Sequence, residues 1–217
     1  MTLEKRRSPY MWITAITGLL SGEDHCEWAA WLRSNYTFEK RIDGGGDALS
    51  RWMSKHDDLV AQRVVELKRD GWRVEVEDQN RFTVRGKATV GGKPDIVAFQ
   101  GDEVLISDPK GGKRKHKYIW QVRAYMVLLP LKDKRLRGKT IRGEVVYPDG
   151  IEPVTVDADD AGRIFAQITA SGPGPEPNVT PSESECRYCP VSECAERVLG
   201  GGSSEQETRQ KGQHDAT

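Results

Sequence analysis

The chain has 217 residues, no long apolar run, only four histidines, only four cysteines and no net charge. Each absence narrows the reading. The longest apolar stretch, YMVLLPL at residues 125–131, falls far short of the roughly 20 residues that a membrane helix needs, so no membrane partner is expected. The N-terminus begins basic, but its apolar part carries Trp12 and two threonines and lacks a small-x-small cleavage site. It reads as mature protein, with a cytoplasmic location as the default. Balanced charge, 33 basic against 33 acidic residues, by itself speaks against a nucleic-acid partner. A hydrophobic content of 36% and a charged content of 30% describe a soluble chain, long enough for one domain with embellishments.

The charge is unevenly placed. Residues 1–108 sum to −2, residues 109–142 to +11 and residues 143–217 to −9. Averaging hides that central block, which is the electrostatic footprint of a phosphate-binding surface or, in the plainer reading, a solvated face of lysines.

The hydrophobic pattern has helical spacing through SPYMWITAITGLL and again through GEDHCEWAAWLRSNY. RIDGGGD is a hinge. A long amphipathic helix follows from Asp47, its apolar side traced by Leu49, Trp52, Met53, Leu59, Val60, Val64 and Leu67, with His56 on that side and Asp70-Gly71 as its stop. Alternation then takes over: Trp72, Val74 and Val76 face one way, and RFTVRGKATV, KPDIVAF and VLISDPK continue as strands in an antiparallel meander. YIWQVRAYMVLL reads as helix, RGEVVYPDG with EPVTVDA as a hairpin, and ADDAGRIFAQITA as a last helix. The fold class expected is α/β, a mixed β-sheet flanked by helices. A proline-rich connector, a cysteine segment and a polar tail expected to be disordered complete the chain.

Asp95 in GGKPDIVAF and Asp108 in SDPK lie thirteen residues apart on strands joined by a short hairpin, which would bring the two carboxylates together. Side chains alternate across a strand, so Asp108 and Lys110 share a face, and the Pro109 carbonyl between them is left to bind a cation. Two carboxylates, one carbonyl and waters suit Mg²⁺ or Mn²⁺, and a neighbouring lysine would position or deprotonate water and offset charge building on a phosphate. A lone Asp-x-Lys turns up about once in a chain of this length. Its meaning comes from Gln121 and Tyr125, four apart and therefore on one face of the next helix. Proline donates no ladder hydrogen bond, so the strand is expected to end or bulge at Pro109.

Cys186, Cys189 and Cys194, spaced C-x2-C-x4-C, stand too close for three structural disulfides and well for one metal centre. Cys26 is the remaining thiol and would supply the fourth ligand, stapling both ends of the chain. Zinc and a 4Fe-4S cluster both accept four thiolates.

The order Gly-Lys-Pro-Asp, Asp-Pro-Lys, then Gln-x-x-x-Tyr resembles the PD-(D/E)XK nuclease superfamily, and within it the RecB-like branch. The resemblance implies a restriction-endonuclease-like core in which Asp95 and Asp108 bind a divalent metal and Lys110 serves the attacking water. By the same resemblance, Gln121 and Tyr125 contact the DNA end or organise the site, and His56, on the preceding helix, is a further metal ligand. RecB-like nucleases with one cysteine before the core and three after it, the CRISPR-adaptation nucleases among them, hold a 4Fe-4S cluster, and this layout is similar. The cluster, with zinc as the alternative, is then expected to clamp the termini in a structural role.

Lys113, Arg114, Lys115 and Lys117 follow the Asp-Pro-Lys triplet at the mouth of the expected site, and Lys132, Lys134, Arg135, Arg137 and Lys139 follow the Gln-Tyr helix. Flexible cations in loops suit sequence-independent phosphate contacts, while Tyr118 and Trp120 would stack on an unpaired base or pack in the core. The expected organisation is an N-terminal helical segment at 1–46, a nuclease core at 47–170, a linker with the cysteine segment at 171–198 and a tail at 199–217. The function expected is metal-dependent hydrolysis of single-stranded or end-bearing DNA, exonuclease rather than endonuclease, with a 5′-phosphate product implied by the family. Helicase, recombination or CRISPR-adaptation proteins are the partners such a nuclease implies. The rivals are a non-catalytic DNA-binding or complex-stabilising subunit, for which Pro109 speaks, and a structural zinc protein.

Overall fold

The computed structural model describes residues 3–39, 46–191 and 194–198, the side chains of residues 46–52 excepted. The tail from 199, most of the RIDGGGD hinge and the side chains of Leu49 and Trp52 lie outside the described residues. In chain order the elements are β1 (Glu4–Lys5), β2 (Tyr10–Trp12), α1 (Thr17–Ser21), α2 (Glu27–Asn35), β3 (Tyr36–Thr37), α3 (Gly46–Arg69), β4 (Arg73–Val76), β5 (Phe82–Arg85), β6 (Thr89–Gly92) and β7 (Ile96–Gln100). They continue as β8 (Glu103–Pro109), α4 (His116–Lys132), β9 (Thr140–Tyr147), β10 (Gly150–Val154), α5 (Ala158–Ser171) and α6 (Glu183–Tyr188).

The main sheet runs β10-β9-β8-β7-β4. β4, β7 and β8 are antiparallel neighbours, β8 and β9 are parallel, and β9 turns back on β10, so the sheet is mixed as expected. Gly101 adopts φ 56° in the two-residue turn between β7 and β8, a left-handed conformation that glycine accepts without a Cβ clash. Strand alternation divides the core. Ile96, Ala98 and Leu105 face one side with Val60 and Leu67 of α3, while Val97, Phe99, Val104 and Ile106 face the other with Val122, Ala124 and Met126 of α4. Helix α4 crosses β9 at Gly143, where a Cβ would lie only 2.6 Å from both Met126 Sδ and Val122 Cγ1. The bare backbone there lets the helix carrying Gln121 and Tyr125 approach the sheet.

Three expectations change. Tyr10–Trp12 is not helical but a strand pairing in parallel with β6, Tyr10 against Thr89 and Trp12 against Gly91. Three residues are too few for periodicity to tell strand from helix, and the deciding partner lies some eighty positions away. RFTVRGKATV does form a hairpin, β5 with β6, but it joins β2 in a separate three-stranded sheet instead of extending a meander. Met53, assigned to the apolar face of α3, is 51% exposed, whereas Leu67 near the end of that helix is 2% exposed and packs on the sheet. Helix α3 stops where expected, at Gly71 with φ 86°. Among the described residues no helix is long and apolar enough to cross a membrane.

Candidate active site

The C-terminal end of β8 gathers the charged groups. Val104 and Ile106 point toward α4, so Asp108, two residues on, points there too and is fully buried. The β7–β8 register ends at Ile96 opposite Ser107; carried one residue further, it sets Asp95 opposite Asp108. Asn80, only 5% exposed, donates Nδ2 to the carbonyls of Glu75 and Pro94 at 3.0 and 3.2 Å, and the Glu77 amide donates to the Asp95 carbonyl at 2.9 Å. These bonds fix the backbone through which Asp95 meets its neighbour.

Lys110 bridges the two acids. Its Nζ lies 2.6 Å from Asp108 Oδ2 and 3.9 Å from Asp95 Oδ2. From α4, Gln121 Nε2 donates to Asp108 Oδ1 at 3.2 Å and to Tyr125 Oη at 3.0 Å, and Tyr125 donates its own proton to the Lys93 carbonyl at 3.3 Å. From α3, His56 Nδ1 lies 3.1 Å from the Pro109 carbonyl and Nε2 lies 3.8 Å from Asp95 Oδ2. A carbonyl only accepts, so Nδ1 is the donor there, and Nε2 is the ring nitrogen on the side of the acids. The structure thus brings together Asp95, Asp108, Pro109, Lys110, Gln121, Tyr125 and His56.

β8 ends at Pro109, one of the two outcomes expected, and it does so without a bulge. Pairing with β9 continues through Pro109 opposite Val146, and the Lys110 amide donates to the Val146 carbonyl at 2.7 Å. Backbone direction alternates along a strand, so the position where proline lacks a hydrogen faces the β7 side, past the last β7 partner. The missing donor has no acceptor to lose.

Burial, then the neighbouring Asp108 carboxylate, pushes the Asp95 pKa up to about 8, with Lys110 pulling the other way. For Lys110 burial lowers the pKa, but Asp108 and Asp95 together outweigh it and hold the ammonium above its ordinary value. Tyr125 is raised as well, by burial and then by Asp108, which keeps its phenol protonated as a donor. Asp95 Oδ2 and Asp108 Oδ2 are buried atoms that share one cation, the Lys110 ammonium, at 3.9 and 2.6 Å. Two carboxylates, a carbonyl and an imidazole form a donor set of the hard type that fits Mg²⁺ or Mn²⁺. Among the described residues no three His, Cys, Asp or Glu side chains are already gathered into a metal cage. Between the acids the Lys110 ammonium is the counter-charge.

The basic residues separate. Arg114 is committed to Asp149 at 3.0 Å and Glu152 at 3.3 Å and lies over the Tyr147 ring, while Lys113 and Lys115 are exposed beside the site. The run at 132–139 does not join them. It leads into Thr140, which pairs with Glu103 at the opposite end of β8, roughly 17 Å of strand from Asp108. There Arg135 is bound to Glu75 and Asp133, and Lys139 to Asp102 and the Gly101 carbonyl. Trp120 is a core residue, 6% exposed between the guanidinium groups of Arg123 and Arg163, and so is not placed to stack on a base. Tyr118 stays half-buried at the mouth, its ring 5.4 Å from Lys110 Nζ.

A family model described as the PD-(D/E)XK nuclease superfamily matches residues 18–194. The chain belongs to the PD-(D/E)XK nuclease superfamily. None of the curated proteins matches it. The solved structure titled "Crystal structure of SSO0001" is similar at 15% identity over 89% of each chain, with a TM-score of 0.46. The family match, like the geometry, extends to Cys194 and therefore takes in the cysteine segment of this PD-(D/E)XK chain.

All four cysteines line one cavity of about 560 Å³, together with Lys115 and Lys117 of the basic loop. Burial raises the Cys194 pKa first, and the neighbouring thiols of Cys26, Cys186 and Cys189 raise it further, so those three lie within electrostatic reach of Cys194. Cys189 and Cys194 pack against Trp31, Leu32 and Val191. The connector ahead of them is tied to α2: Trp31 Nε1 donates to the Gly174 carbonyl at 3.1 Å and Trp28 Nε1 to Glu176 at 2.8 Å. Asn80, Lys93 and Glu185 are the residues that sequence reasoning passed over, since each acts through a backbone group distant in the chain.

Proposed function

We propose that this chain is a metal-dependent DNA nuclease of the RecB-like branch, acting on single-stranded or end-bearing DNA, with an exonuclease mode. The observation that carries the reading is the pair of carboxylates that meet beside the C-terminal end of β8, Asp108 fully buried and the Asp95 side chain 15% exposed, bridged by the Lys110 ammonium. Asp95, Asp108 and His56, with the Pro109 carbonyl, are the groups that would hold Mg²⁺ or Mn²⁺. Such an ion, when bound, supplies Lewis-acid activation of the scissile phosphate and of water.

The remaining work falls to the chain. Lys110, held cationic by the two acids, orients water and offsets charge on the phosphate instead of serving as a base. Gln121 fixes the Asp108 carboxylate and is itself fixed by Tyr125, which hangs from the Lys93 carbonyl. Lys113, Lys115 and Lys117 lead phosphate toward the acids in a sequence-independent manner. Arg114 contributes less, because its charge is answered by Asp149 and Glu152.

The four cysteines are read as ligands of a 4Fe-4S cluster. Zinc, which also accepts four thiolates, is the alternative, and the iron, sulfide and zinc content of the purified protein decides between them. The rival reading of a non-catalytic subunit rested on Pro109, whose lack of a donor disturbs no ladder bond. Incubation of end-labelled single-stranded DNA with the protein and Mn²⁺ tests the proposal. Shortening that requires the metal is expected, and retention of intact DNA under these conditions would favour the binding subunit.

A further inference from the structure

We propose that Glu185 and Arg197 are positioning residues that assemble the four-cysteine site from both ends of the chain before any metal centre is bound. The inference rests on reading the cysteines as ligands of one centre. Glu185 Oε1 accepts the backbone amides of His25 at 2.8 Å and Cys26 at 3.0 Å, across 160 and 159 positions of sequence. Its other oxygen accepts from Ser182 Oγ, the N-cap of α6. Glu185 directly precedes Cys186, so one carboxylate ties the backbone of the N-terminal thiol to that of the first C-terminal one.

A Ser-x-x-Glu pattern at a helix start ordinarily sends the glutamate back to its own N-cap amide. Here the glutamate is diverted to a distant segment. Thr180 Oγ1, donating to the His25 carbonyl at 2.8 Å, holds the same peptide from its other side.

Arg197 does the complementary work within the C-terminal loop. One terminal nitrogen donates to the carbonyls of Cys186 at 2.6 Å and Cys189 at 3.0 Å, and the other to that of Val191 at 2.7 Å. The rigid guanidinium fork thereby sets the spacing of two cysteines and holds Val191 just beyond them. Arg197 Nε is buried without a partner among the described residues, and Arg197 lines the cavity that the four cysteines share. Three of the five guanidinium N–H groups are thus used, and Nε–H is one of the two left over.

The test uses the full chain, purified without oxygen, as wild type, Glu185→Gln, Glu185→Ala, Arg197→Lys and Arg197→Met. Lys139→Ala, which removes a tie to Asp102 and the Gly101 carbonyl outside the cysteine cavity, is the control. Iron, sulfide and zinc content and visible absorbance are read first. Glu185→Ala and Arg197→Met are expected to retain the centre about tenfold more weakly against a chelator, as loss of outer hydrogen bonds does in other metal sites. Glu185→Gln keeps an accepting oxygen and is expected to rescue retention.

The second reading needs no metal. In chelated protein with Cys189 and Cys194 changed to serine, a short bis-maleimide should link Cys26 to Cys186 efficiently, and Glu185→Ala should reduce that link several-fold with an unchanged circular dichroism spectrum. Wild-type retention and linking in both Glu185→Ala and Arg197→Met would overturn the inference. A wild-type protein that holds neither iron, sulfide nor zinc would instead remove the reading of the cysteines as ligands, leaving the cross-link to decide the latch by itself.

Discussion

Replacing Lys110 by methionine separates the electrostatics of the site from its chemistry. Methionine keeps most of the aliphatic stem but removes the one ammonium that lies 2.6 Å from Asp108 and 3.9 Å from Asp95. Asp108 is fully buried and the Asp95 side chain is 15% exposed, so neither can recover its loss from solvent. Stranding a buried charge by deleting its partner costs about 3–5 kcal/mol. For a domain of this size each kcal/mol moves the melting temperature by about 2–4 °C, so metal-free Lys110→Met should melt on the order of 10 °C below wild type. Mn²⁺ should then stabilise the variant more than it stabilises wild type, because the cation no longer competes with an ammonium for the same oxygens. At a hundredfold excess over its dissociation constant a ligand adds about 2.7 kcal/mol, enough to recover much of the loss. Differential scanning fluorimetry in chelator and in Mn²⁺ reads both effects. An unchanged melting temperature in chelator, or a smaller Mn²⁺ shift in the variant than in wild type, would refute the assignment of Lys110 as counter-charge to a metal-binding acid pair.

Three further outcomes follow from the same coordinates. Arg63 on α3 grips Glu144 on β9 with two nitrogens, at 2.8 and 3.1 Å, and both side chains are largely buried; Arg63→Met should lower stability in urea by about 3–5 kcal/mol, while Arg63→Met with Glu144→Leu should regain most of it. Lys113→Ala should weaken DNA binding and reduce its salt dependence by about one phosphate contact, whereas Arg114→Ala should change the salt slope less, as read by fluorescence anisotropy across ionic strength. For Asp95 the folded pKa is raised to about 8, so between its ordinary value and that point the native state holds a proton the unfolded chain has released. Metal-free stability should therefore fall as pH rises through that window, and saturating Mn²⁺ should flatten the decline.

How much was legible in the chain depended on the range of each interaction. Asp108 and Lys110 share a face by strand alternation, and Gln121 and Tyr125 share one by helix spacing; the structure joins each pair directly. Those are local periodicities. Tyr10–Trp12 was misread because its strand character comes from β6, far along the chain. The basic block read as one footprint because a charge count has no geometry: parallel pairing of β8 with β9 sends residues 132–139 to the opposite end of the sheet from Asp108. Pro109 read as an end or a bulge of β8, and the strand does end there; which edge its missing hydrogen faces is not legible in the sequence. Glu185 left only the local Ser-x-x-Glu start of α6, which does not reveal its bonds to His25 and Cys26, and the bonds of Arg197 to backbone carbonyls follow no sequence pattern.

The central claim is that Asp108 and Lys110 belong to a metal-dependent catalytic site acting on DNA. Cleavage of end-labelled single-stranded DNA in Mn²⁺ by wild type, Asp108→Ala and Lys110→Ala tests it most directly, each variant first confirmed to be folded. The account predicts wild-type cleavage abolished by chelator and reduced at least about a hundredfold in both variants. Equal cleavage by all three proteins would contradict it.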